Sequence, residues 1–95
     1  MPTLWIHAFN DAKETAFDTP NQKLSVSVGG ASASAAALTG TMGMQRVRLM
    51  TDTDCHVAWS AAGTAADTTD LPMGAENPEY FGIPTGYIIS CIQRV

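Results

Sequence analysis

The sequence predicts an all-β fold: a small antiparallel β-sandwich, jelly-roll-like or closed into a partial barrel, with an extended N-terminal segment. Three observations predict it. Short apolar runs recur at roughly even spacing between turn residues, the pattern of short antiparallel strands. Several of those runs alternate polar and apolar residues with period two. Ala, Gly, Ser and Thr supply 39 of the 95 residues, whereas Lys and Glu, the usual residues of exposed helices, are scarce.

The elements follow in order. Leu4, Ile6 and Ala8 alternate with Trp5, His7 and Phe9, so both faces of a first extended stretch are apolar or aromatic. Asn10-Asp11 breaks it. Asp11 to Phe17 reads as one or two helical turns, with Asp11 as N-cap and Glu14 at capping-box spacing, ended by Thr19-Pro20. The segment is either an N-terminal strand with its loop or an arm whose Trp5, Phe9 and Phe17 anchor on a neighbouring subunit. Leu24, Val26 and Val28 then oppose Ser25 and Ser27 in a half-buried strand. After Gly29-Gly30, Ala31 to Leu38 reads as a tightly packed strand, with a helix over Ala33 to Leu38 as the alternative because alanine is the best helix former.

Residues 39–44 make a glycine-containing connection. From Gln45 to Thr51, Val47 and Leu49 point inward and Arg46, Arg48 and Met50 outward. Asp52 to Asp54 turns the chain, and Cys55, Val57 and Trp59 share one face of the next strand, opposite His56 and Ala58. The expectation is that these two strands form a hairpin. Ser60 to Asp70 is a small polar loop. Pro78 to Ile83 sets Tyr80 and Gly82 opposite Phe81 and Ile83, and Pro84-Thr85-Gly86 turns the chain again. Tyr87 to Arg94 is apolar on both faces, with Ile88 and Ile92 against Ile89 and Cys91, as suits a strand inside a sheet or under another subunit.

The bulk properties bound the function. A chain of 95 residues is one domain, here divided into an N-terminal strand or arm over 1–22 and a sandwich over 23–95. The formal net charge is −4 and the sequence pI about 4.7. No basic cluster exceeds Arg46 with Arg48, so direct nucleic-acid binding is not expected. No apolar stretch approaches the roughly 20 residues of a membrane span, and no secretion signal is apparent at the N-terminus, which gives a cytoplasmic site of synthesis as the expectation. Two cysteines are too few for a disulfide scaffold.

No catalytic set stands out, and neither an enzymatic activity nor a cofactor is expected. Cys55 and His56 are sequence neighbours, so on a strand they face opposite ways and cannot serve as nucleophile and base. The carboxylates of Asp52, Asp54, Asp67, Asp70, Glu76 and Glu79 fall in or beside turns, without the spacing of an EF-hand calcium loop.

From Asp52 to Gln93 the wording TDTDCHVAWS, LPMGAENPEYFGIPTG and YIISCIQ resembles a pattern in small virion proteins of tailed bacteriophages and prophages. In that pattern a strand ending D-C-H-[IV]-A-[FW] precedes an Ala/Thr loop, a leucine-proline-x-glycine step, a P-E-Y-F strand and a P-x-G turn into a last apolar strand. The resemblance covers about half of the chain and rests on turn glycines and prolines and on aromatic residues. It implies a β-sandwich that serves as a head decoration or cement protein. Its partners would be the major capsid protein and further copies of itself, as a dimer or trimer, on the capsid exterior after synthesis in the bacterial cytoplasm. Arg46, Arg48 and Arg94 are then the candidates for charge pairing, and Trp5, Phe9 and Phe17 for apolar anchoring.

The pattern runs on through one more strand where this sequence ends at Val95, and it lacks the aromatic segment Leu4 to Phe9. The N-terminal strand is therefore expected to fill the sheet edge left by that missing strand, or a neighbouring subunit to complete it. Two other readings are a neck or tail component and a carbohydrate- or peptide-binding sandwich that uses Trp59, Tyr80 and Tyr87 as a stacking platform.

Overall fold

A computed structural model describes residues 2–9, 22–39 and 43–94. Among the described residues are eight strands: β1 (Thr3–Phe9), β2 (Gln22–Ser27), β3 (Ala33–Ser34), β4 (Met44–Thr51), β5 (Cys55–Ser60), β6 (Leu71–Met73), β7 (Glu79–Pro84) and β8 (Ile88–Gln93). They form two four-stranded antiparallel sheets, sheet A in the order β2-β1-β4-β7 and sheet B in the order β3-β8-β5-β6. Among the described residues there is no helix, and hence none long and apolar enough to cross a membrane. The helical turns expected between Asp11 and Phe17 lie outside the described residues.

The pairings β3 with β8, β4 with β7 and β5 with β6 are nested about the β5–β6 connection. Nested antiparallel pairing of this kind, folded over into two sheets, is the jelly-roll plan. Its outermost pair here is β2 with β1, so the strand that closes the roll comes first in the chain. That strand also pairs with β4. The expectation for the N-terminal strand is thus corrected in one respect. The place that β1 fills is not at an edge of sheet A but inside it, between β2 and β4, and the edges are β2, β7, β3 and β6.

A second correction concerns β4 and β5, which form no hairpin. β4 belongs to sheet A and β5 to sheet B, and the chain crosses between them at Asp52–Asp54. Thr51 fixes that corner, its hydroxyl donating to the carbonyl of Thr53 at 2.8 Å and accepting from the Thr53 amide at 3.2 Å. The inward residues of the two strands therefore meet across the core rather than side by side. A third correction shortens the strand expected over Ala31–Leu38 to two residues. Beyond them the chain follows β8 only through single bonds, from the Ala35 amide to Ile89 and from the Leu38 amide to Tyr87.

The core is what the alternation supplies. Leu4, Ile6 and Ala8 from β1, Val26 from β2, Val47 and Leu49 from β4 and Ile83 from β7 form the inner face of sheet A. They pack against Cys55, Val57, Met73, Ile89 and Cys91 of sheet B. Between the sheets the Trp59 and Phe81 rings meet with centroids 5.0 Å apart, within the range of favourable aromatic pairs. Gln45 is buried among these residues, and its side-chain amide donates to the Thr39 carbonyl at 2.7 Å and the Thr85 hydroxyl at 3.1 Å. That amide ties the chain before β4 to the turn after β7. Burial raises the pKa of both thiols: Cys91 is pushed up to about 11, with Cys55 as the second cause. Both are free thiols.

Candidate functional site

The outer faces of the two sheets differ. That of sheet B is closed by the loop over residues 61–70. Ala66 is buried there and its amide donates to the Ser32 hydroxyl at 2.9 Å. Nδ1 of His56 lies 3.0 Å from the carbonyl oxygen of Asp70. Gly63, with φ +75, sits so close that an added Cβ would come within 3.2 Å of Ile88. The loop's polar composition hides this packing role. It explains why β8 is apolar on both faces: Ile89 and Cys91 meet the core, and Ile88 meets the loop.

No described segment crosses the outer face of sheet A. Register determines which side chains share it. His7 of β1 stands opposite Lys23 of β2 and Arg48 of β4, and Arg48 stands opposite Tyr80 of β7. Lys23, His7, Arg48 and Tyr80 therefore form one line across all four strands, about 14 Å long at the usual strand spacing. One step toward the Asp52 corner lie Trp5, Ser25 and Met50, and one step the other way lie Phe9, Arg46 and Gly82.

Two aromatic rings flank one of these cations. The guanidinium carbon of Arg46 lies 5.0 Å from the Phe9 ring centre and 5.6 Å from that of Tyr80, both within cation–π range. Nη2 of Arg48 donates to the Met50 sulfur at 3.8 Å. Phe9 is buried, at 7% exposure, whereas Tyr80 at 47% and Met44 at 52% stand in solvent. Burial is the main cause holding the His7 pKa below its ordinary 6.5, and the neighbouring Arg48 and Lys23 charges lower it further.

Four of the six residues expected to bind a partner thus come together on this face: Trp5, Phe9, Arg46 and Arg48. Phe17 lies outside the described residues. Arg94 is elsewhere, following β8 in sheet B, where its guanidinium pairs with Asp54 at 3.5 Å and its amide donates to the Asp54 carbonyl at 3.1 Å. Residue type alone missed Lys23, His7 and Met50 as members of the face. The period-two parity of each strand carried that signal, since all three fall on the outward positions.

The other sequence-based candidates separate. Trp59 points into the core onto Phe81, Tyr87 packs against the core and Tyr80 lies on the outside of sheet A. The three-aromatic stacking platform does not form. Cys55 is buried in the core, while His56 on the opposite face is held by the loop carbonyl of Asp70. Among the described residues no group of three His, Cys, Asp or Glu is placed to hold a metal ion. Comparisons with protein-family models, with curated proteins and with solved structures find no match to this chain.

Proposed function

We propose that the chain is a structural component of a bacteriophage virion, a capsid decoration or cement protein that binds across capsomers and acts by adhesion without catalysis. The observation that carries this reading is the contrast between the faces. Among the described residues, the loop over 61–70 seals sheet B, and no segment covers the face of sheet A that carries Trp5, Arg46, Arg48 and Tyr80. That is the composition of a protein-binding patch, in which arginine and aromatic residues are enriched. The jelly-roll sandwich and the virion-like wording of residues 52–93 support the same reading. The sheet edges at β2 and β7 offer backbone groups to a neighbouring copy, so a homo-oligomer, dimer or trimer, would present several such faces to the major capsid protein. Individually weak contacts then hold firmly through multivalency.

The test is cryo-electron microscopy of particles assembled with and without the chain. Density on the outer capsid lattice that disappears on deletion is the expected result. Heads without such density, with the protein located at the neck or tail or absent from particles, overturn the decoration reading.

A further inference from the structure

We propose that the outer face of sheet A docks an acidic segment of a protein partner, with Lys23, His7 and Arg48 receiving its carboxylates and Trp5, Met50 and Tyr80 its apolar side chains. The inference rests on the reading of that face as a docking surface and adds the chemistry of what it takes.

Like charges directly opposite one another on neighbouring strands destabilise a sheet. Here Arg48 and Lys23 stand on either side of His7 on three adjacent strands, so this cost falls on His7 whenever its ring is protonated. Every described carboxylate lies elsewhere: Asp52 and Asp54 at the β4–β5 corner, Asp67 and Asp70 in the loop over sheet B, Glu76 in the β6–β7 connection and Glu79 at the inward-facing start of β7. A chain with a formal net charge of −4 thus sets Lys23 and Arg48 on either side of His7 with no described carboxylate in line with them. No described carboxylate offsets the charge of that line, whereas a negatively charged occupant does.

Two copies cannot meet face to face through this surface, because each would bring the same cations. A long polyanion such as nucleic acid is disfavoured by the acidic remainder of the chain. The apolar flanks Trp5, Met50 and Tyr80 add a requirement that a bare polyanion does not meet. An acidic protein segment that also carries apolar side chains satisfies both.

Proton uptake follows from the same geometry. The groups facing His7 are Lys23 on β2 and Arg48 on β4, with Arg46 and Met50 diagonal to it on β4 and Trp5 and Phe9 beside it on β1. In the free protein these surroundings disfavour the imidazolium. A carboxylate brought to the line reverses that influence, so binding draws a proton onto His7 and strengthens as the pH falls through the histidine range.

The probe is a synthetic acetylated peptide of alternating aspartate and leucine, titrated into the intact chain and followed by tryptophan fluorescence and calorimetry. The expected result is saturable binding that tightens between about pH 8 and about pH 6. Arg48→Gln with Lys23→Gln weakens it about tenfold, as two exposed charge contacts are lost. His7→Gln removes the pH dependence, and Arg94→Gln, away from the face, changes nothing. Absence of peptide binding, an equal loss with Arg94→Gln, or tighter binding of heparin or duplex DNA than of the peptide overturns the inference. Failure here is distinguishable from failure of the virion reading. Particles decorated equally by the wild type and the Arg48/Lys23 double variant refute the acidic-segment inference alone. Peptide binding by a chain absent from particles refutes the virion reading alone.

Discussion

Ile6→Ala tests whether β1 is part of the core or a detachable segment. Ile6 is fully buried at the centre of β1, opposite Leu24 of β2 and Leu49 of β4. The substitution removes three carbons, worth about 2.4 kcal/mol in transfer free energy at ~0.8 kcal/mol per buried methylene. Strand neighbours on both sides limit collapse of the void, so the cavity brings the total to about 3–4 kcal/mol. A chain of this size has a total stability of roughly 5–14 kcal/mol, and the loss corresponds to a fall in Tm of roughly 12–25 °C. Trp5→Ala, one residue away but on the outer face, should cost less than Ile6→Ala, as its side chain is only partly buried. Urea unfolding followed by circular dichroism measures both. A loss below about 1 kcal/mol for Ile6→Ala, or a larger loss for Trp5→Ala, would refute β1 as an interior strand.

Three further outcomes follow from the same structure. Gly63→Ala should destabilise by about 1–2 kcal/mol, since φ +75 is strained for alanine and its Cβ would press on Ile88 at 3.2 Å. Gly86→Ala, at φ +93 with no atom within 4 Å of the added Cβ, should cost about 1 kcal/mol from backbone strain alone. Thermal melts that rank the two the other way would discount the loop contact. Cys55 and Cys91 should be inert to a disulfide reagent near pH 8 until the protein is unfolded, because burial raises both pKa values. The linked stability is fully present below the ordinary thiol value of 9.0 and is lost as pH rises toward about 11 for Cys91. His7 titrates the other way: its depressed pKa means that the unfolded chain takes up the proton first. The free protein therefore keeps this contribution above pH 6.5 and loses it as pH falls below that value. Arg48→Gln should flatten this loss, which denaturation midpoints measured across the acid range would show.

What could be read from the sequence, and what could not, divides along the difference between face and partner. Period-two alternation assigns Val47 and Leu49 inward and Arg46, Arg48 and Met50 outward correctly, because each strand has one face in the core and the pattern records that directly. The same pattern does not say which sheet a strand joins. The short link Asp52–Asp54 suits a hairpin as well as a crossing between sheets, and the hairpin expected between β4 and β5 was the wrong choice. Trp5, Phe9, Arg46 and Arg48 were identifiable by residue type, and Arg94 for the same reason, although its charge serves the Asp54 corner. The line from Lys23 through His7 to Arg48 depends on the register of β1 with β4, strands separated by some 40 residues of chain. Nothing local encodes it. The resemblance to virion proteins points to a sandwich, the architecture found, but the position of β1 inside sheet A lies beyond its reach.

The ends of the described chain meet. The amide of Val28 donates to the carbonyl of Pro2 at 3.0 Å, and the amide of Gln93 donates to the carbonyl of the next residue, Gly29, at 2.9 Å. A short linker from Arg94 to Pro2, with a new opening between β1 and β2, would return the closing strand of the roll to the end of the chain while keeping every strand pairing. Such a permutant would separate topology from order of synthesis. In the present order β1 can wait on β2, its neighbour in sequence, for β4 to arrive. In the permuted order β2 and β4 would await their shared partner until the last residues had emerged. The two chains should reach the same structure by different routes, with the permuted one slower to fold because its closing contacts span a longer stretch of chain.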